Sequence, residues 1–149
     1  MTIPHHSRNF PDGQPFDFSG KSIDGRSYNT SELKGKIVVL HISALNRYPE
    51  AELTSYNEVV DSFSASGKLV FLCITPVRKA DAKKLLEGIY FRYAVMAGQE
   101  FFLKDAGVRI YPQDIVLDKE GKVAYSSTGK GNATVVSLER KIRDLLLVP

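Results

Sequence analysis

The 149-residue sequence is poor in cysteine: Cys73 is the only one. One thiol excludes an intramolecular disulfide, a Cys-x-x-Cys pair and a cysteine zinc site. No apolar run approaches the roughly 20 residues that span a membrane as a helix. No block of Lys and Arg is dense enough to track a phosphate backbone, so a nucleic-acid role has no support. The opening residues MTIPHHSRNFPDG carry neither the charged nor the apolar stretch of a secretory signal. A trimmed signal or a cut from a longer protein would leave the same beginning, and the compartment stays open between the cell envelope or periplasm in that case and the cytoplasm otherwise. Ser-His-Asp order, HExxH spacing and a glycine-rich phosphate loop are all missing, so those hydrolytic and nucleotide chemistries have no carrier.

What is there is ordinary for a globular chain: 43% hydrophobic and 25% charged residues, with 20 basic and 17 acidic side chains giving a net charge of +3. A chain of this length buries roughly 68–70% of the surface its unfolded form exposes, so one core without metal or disulfide suffices. Residues 1–13, polar and punctuated by Pro4, Pro11 and Gly13, read as an extended lead-in, and 14–149 as one domain. His5 and His6 read as incidental to that tail rather than as metal ligands, and no metal or cofactor is expected. The basic clusters VRKADAKK and ERKIRD fall on helices as solvated faces.

PFDFSGKSIDGRSYNT alternates about Asp24-Gly25 and reads as a β-hairpin, followed by a short helical turn, SELKG, capped by Thr30 or Ser31. Lys36 to Ser43 and Lys68 to Thr75 are apolar without alternation, as in central strands covered on both faces. Between them Leu53, Tyr56, Val59, Val60 and Phe63 recur at helical spacing until Ser66-Gly67. A helix follows over Lys79 to Glu87, then a short strand at Tyr93 to Met96 and a helical turn at Gln99 to Ala106. VRIYPQDIVLDKEGKVAYSS forms a second hairpin, and a final helix runs from Ala133 to Leu147. The first half implies right-handed βαβ units with parallel strands, the last hairpin antiparallel ones. The expected fold is α/β, with a mixed central sheet flanked by helices on both faces.

HISALNRYPEAELTSY links the first central strand to its helix through a proline, as in folds that present a nucleophile at a helix N-terminus. This order resembles the thioredoxin fold, and more closely the TlpA and ResA type of thiol-disulfide oxidoreductase in the AhpC/TSA group. PFDFSGKSIDGRSYNTSELKGKIVVLHIS is similar to the family's opening strand, Asp-Gly turn, Leu-Lys-Gly-Lys stretch and first core strand. IYPQDIVLDKEGKV is similar to its cis-proline loop, strand and Asp-x-x-Gly turn. The resemblance puts Leu45 at the family's Trp and Asn46-Arg47-Tyr48-Pro49 at its Cys-x-x-Cys, with Glu52 on its Glu. The buried Asp that thioredoxin proper keeps six residues ahead of its first Cys is Leu40 here.

Disulfide exchange needs a thiolate with lowered pKa and a second thiol to resolve the mixed disulfide, and Asn46, Arg47, Tyr48 and Pro49 supply neither. The Pro-x-x-x-Thr-x-x-Cys loop of the peroxiredoxin relatives is absent as well. The resemblance therefore implies a redox-inactive module that binds a protein or extended peptide, or is structural, through a groove rimmed by Arg47, Tyr48, Tyr111 and Pro112. A cis Pro112 would leave the backbone before it open to β-strand addition. The alternative is an oxidoreductase or antioxidant-type enzyme using Cys73, or a non-thiol site with His41, Arg47 and Glu52. Cys73 reads as a small core residue in an apolar strand. His41 reads as a hydrogen-bonded core histidine, with a titrating pair to Glu52 beneath the elbow as the second reading. Glu52 also suits the helix dipole as it stands.

Overall fold

In a computed structural model, residues 10–46, 49–129 and 132–148 are described. Two short strands, β1 (Ser19–Lys21) and β2 (Ser27–Asn29), form an antiparallel hairpin of their own. The Asp24-Gly25 turn closes it, with Gly25 at φ 93°, a left-handed conformation that glycine adopts without Cβ strain. A 3₁₀ turn follows at Thr30–Leu33, and its cap is Asn29. The Asn29 side chain accepts from Ser31 N–H, while the expected cap Thr30 turns its hydroxyl back to accept from Phe18 N–H at 2.9 Å.

The five-stranded sheet has the order β5-β4-β3-β6-β7, where β3 is Ile37–Ile42, β4 Leu69–Ile74, β5 Ala94–Met96, β6 Gln113–Leu117 and β7 Val123–Thr128. Strands β3, β4 and β5 are parallel, and β6 and β7 run antiparallel beside β3. All six residues of β3 and all five of β6 are buried, which is why both are mostly apolar without alternation, His41, Gln113 and Asp114 being the polar exceptions.

Among the described residues five helices complete the layers: α1 (Glu50–Ser55), α2 (Asn57–Phe63), α3 (Lys79–Leu85), α4 (Glu100–Asp105) and α5 (Asn132–Leu146). Alternate residues of each strand serve opposite faces. Ile37, Val39, Phe71, Cys73 and Val116 pack with Leu53, Tyr56, Val59, Leu138 and Ile142 from α1, the α1–α2 junction, α2 and α5. Val38, Leu40, Leu72, Ile74 and Ile115 pack with Phe16, Phe18 and Leu103 on the other face, where Phe102 of α4 meets Phe18 edge-on at 5.0 Å. Among the described residues no helix is long and apolar enough to cross a membrane.

The helical stripe from Leu53 to Phe63 is not one helix. It breaks at Tyr56, whose N–H bonds to Leu53 O at 3.3 Å in a tighter turn before the ladder resumes with Val60 N–H to Tyr56 O. Periodicity survives such a break because both halves keep the same face inward.

Candidate functional site

The elbow leaves β3 through a sharp turn. Leu45 takes φ 47°, a left-handed conformation that costs a branched side chain energy and recurs at functional loops. Its N–H bonds to the Ser43 hydroxyl at 3.0 Å, and its side chain is buried under α1. Of the four positions aligned with the redox motif, Asn46 is exposed and Pro49 buried, while Arg47 and Tyr48 lie outside the described residues. Pro49 leads into α1 with no side-chain cap.

Beneath this turn the parallel and antiparallel registers align one row across the sheet: Val95, Cys73, His41, Asp114 and Ser127. Three of these five are polar in a layer that is otherwise apolar. Nδ1 of His41 lies 2.7 Å from Oδ1 of Asp114, its direct neighbour on β6. Nε2 lies 2.6 Å from Oε2 of Glu52, which reaches down from the first turn of α1. The Tyr56 hydroxyl donates to the other Asp114 oxygen at 2.9 Å, and its ring lies 4.3 Å from the imidazole. The result is a continuous polar chain from the elbow into the sheet: Glu52, His41, Asp114, Tyr56.

Burial alone would push His41 down, but the two carboxylates outweigh it and hold the imidazole up at about 9. At neutral pH the ring therefore carries both protons and donates to both acids. His41 is fully buried and the Glu52 side chain is 8% exposed, so Glu52 is the end of the chain that meets water. An uncompensated carboxylate at this depth would be costly, and the charged imidazole is what makes two of them tolerable.

The structure thus brings together His41 and Glu52, which the sequence offered as a pair. Asp114 and Tyr56 were not anticipated as polar partners. Their signal was present in one case: Asp114 is a lone carboxylate at the head of the apolar run DIVL, and a charge in a central strand needs a partner. Cys73 sits beside His41 in the row and is fully buried. Burial, and next the Glu52 and Asp114 charges, push its thiol far above the usual range, the opposite of what activates a thiol.

Ile42 pairs with Gln113, so the chain leaving β3 and the chain entering β6 from Pro112 run side by side at one end of the sheet. The Tyr111–Pro112 peptide bond is cis and Pro112 is buried. Tyr111 is half-buried against the cluster on the α4 face, opposite the face that holds His41. A hollow of about 530 Å³ between β2, α2 and the start of β4 is lined by Asp24, Arg26, Tyr28, Leu69 and Arg92; of the groove residues that are described, it borders neither Tyr111 nor Pro112.

Comparisons with known proteins agree on the fold. A thiol:disulfide interchange protein DsbE from Chlorobium tepidum superposes with a TM-score of 0.81 at 21% identity, over 92% of this chain and 99% of that one. The thioredoxin domain of a thiol-disulfide oxidoreductase from Bacteroides vulgatus gives 0.73 at 18% identity, over 89% and 99%. A thioredoxin-like protein from Porphyromonas gingivalis gives 0.69 at 24% identity, over 90% and 92%. A comparison with curated protein sequences finds no match. The mixed sheet with its flanking helices is therefore a thioredoxin-like fold with an added N-terminal hairpin. The model of the AhpC/TSA family matches residues 12–126, and the chain belongs to that thioredoxin-like family while carrying a single cysteine and no Cys-x-x-Cys pair.

Proposed function

We propose that this chain is a redox-inactive member of its family, a binding module that takes an extended segment of a protein or peptide across the strand ends between Asn46–Pro49 and Tyr111–Pro112. The observation that carries this reading is the burial of Cys73. Its side chain is shut inside the sheet at 0% exposure, with the thiol held protonated by burial, so it has neither access to a disulfide nor a thiolate to attack one. Glu52, at the position of the family's Glu, supports the same reading. It accepts from an imidazole that is protonated at neutral pH, which leaves it a poor proton acceptor for any chemistry at the elbow.

A surface that no longer performs exchange retains what exchange required, a place to lay an extended chain. Asn46 supplies an exposed amide at the elbow, and Tyr111 is a half-exposed aromatic residue just ahead of Pro112. Aromatic side chains are frequent anchors at such contacts. The test is titration of isotope-labelled protein with a set of unstructured peptides. Amide shifts concentrated at 43–50 and 109–113, weakened by Tyr111→Ala and Arg47→Ala, are the expected result. Shifts clustered elsewhere, or binding unchanged in both variants, remove the groove.

A further inference from the structure

The helix that follows the elbow is weakly made. It has six residues, begins at Pro49 without a side-chain cap, and is cut off from α2 at Tyr56. So short a helix is marginal by itself and depends on tertiary contacts. Its polar ties to the rest of the fold include Glu52 to His41, Tyr56 to Asp114 and Leu53 O, which accepts from the buried Tyr93 hydroxyl at 2.6 Å. The tie through Glu52 needs a proton on Nε2 of His41.

With one proton fewer, the ring has a single N–H for two carboxylates. Asp114 is the one that keeps it. It is 1% exposed, fixed in the middle of the sheet opposite His41, and already takes a second hydrogen bond from Tyr56. Glu52 lies at the water-facing end, on the short helix, and would then meet the bare lone pair of Nε2 across 2.6 Å. Carboxylate and lone pair repel.

We propose that the Glu52–His41–Asp114 cluster is a proton-operated latch: while the imidazole holds both protons Glu52 ties α1 to the sheet, and loss of the Nε2 proton breaks that tie and loosens α1 around its buried Leu53. Among the described residues, the titratable groups facing His41 are Glu52 from α1, Asp114 from β6, Tyr56 from the α1–α2 junction and Cys73 from β4, with Tyr93 ahead of β5 behind them. Burial pushes Tyr56, Cys73 and Tyr93 upward, away from the range in which the latch works, so the charge change belongs to the imidazole. The latch acts on the helix that carries the elbow, so it governs the shape of that surface whatever binds there.

The test is amide hydrogen exchange on the full chain from about pH 7 to about pH 10.5, with rates divided by the intrinsic chemical rate at each pH. Protection of 51–56 should fall by about tenfold or more around pH 9 while β3 and β6 keep theirs. In Glu52→Gln the step should vanish, because an amide can accept from or donate to Nε2 in either state. A flat wild-type profile, or the same step in the variant, overturns the proposal. Nitrogen NMR of the wild-type imidazole decides independently of how the variant folds: Nε2 must lose its proton in the same range as α1 loosens, and a ring that keeps both protons through that range, or gives up Nδ1 first, overturns the latch as well.

Discussion

Nε2 of His41 and Oε2 of Glu52 stand 2.6 Å apart across the boundary between the central strand and the elbow helix. That contact makes the first turn of the elbow helix part of a buried ion network. It also ties the stability of the fold to the charge on one ring.

The proton on His41 is held more tightly in the folded chain, at about 9, than in an unfolded one, at about 6.5. A group of this kind contributes its full stability below the unfolded value and loses it as pH rises through the folded one. Urea midpoints should therefore be highest near or below about pH 6.5 and decline toward pH 9 and above. The contribution is at most about 3.5 kcal/mol, because each tenfold gain in proton affinity on folding is worth about 1.4 kcal/mol.

His41→Leu should cost more than a typical core substitution. It removes the ring that donates to both acids and puts an apolar side chain against Glu52 and Asp114. Breaking a buried pair in this way costs about 3–5 kcal/mol, measurable as a fall in the denaturation midpoint. Tyr56→Phe, which deletes one donor to Asp114 and keeps the ring packing on Phe71 at 5.5 Å, should cost about 2 kcal/mol.

Much of this architecture could be read along the chain. The runs around Val38 and Phe71 are apolar without alternation because their strands are covered on both faces, and the Asp24-Gly25 pair marks its hairpin by turn chemistry. The elbow was legible from a strand, a loop and a proline in succession. Asp114 was not legible as the partner of His41, because 73 residues separate them and only the insertion of β6 beside β3 makes them neighbours. Tyr56 was hidden differently: its helical spacing marks it as core, which its ring is, and spacing says nothing of where a hydroxyl at the ring's far end will reach. The direction of Glu52 was equally hidden, since the first turn of a helix suits a carboxylate whether it points out or in.

Cys73 should be silent toward a thiol reagent in the native protein and react at once in denaturant. Its 0% exposure and protonated thiol both predict this. Cys73→Ala should cost about 1 kcal/mol through the small cavity it leaves, seen as a lower thermal midpoint.

Catalysed disulfide reduction tests the central claim most directly. With a small-molecule dithiol as electron source and a model protein disulfide as substrate, the purified full chain should match the protein-free blank, and Cys73→Ala should match both. A rate well above the blank that disappears in Cys73→Ala would contradict the account.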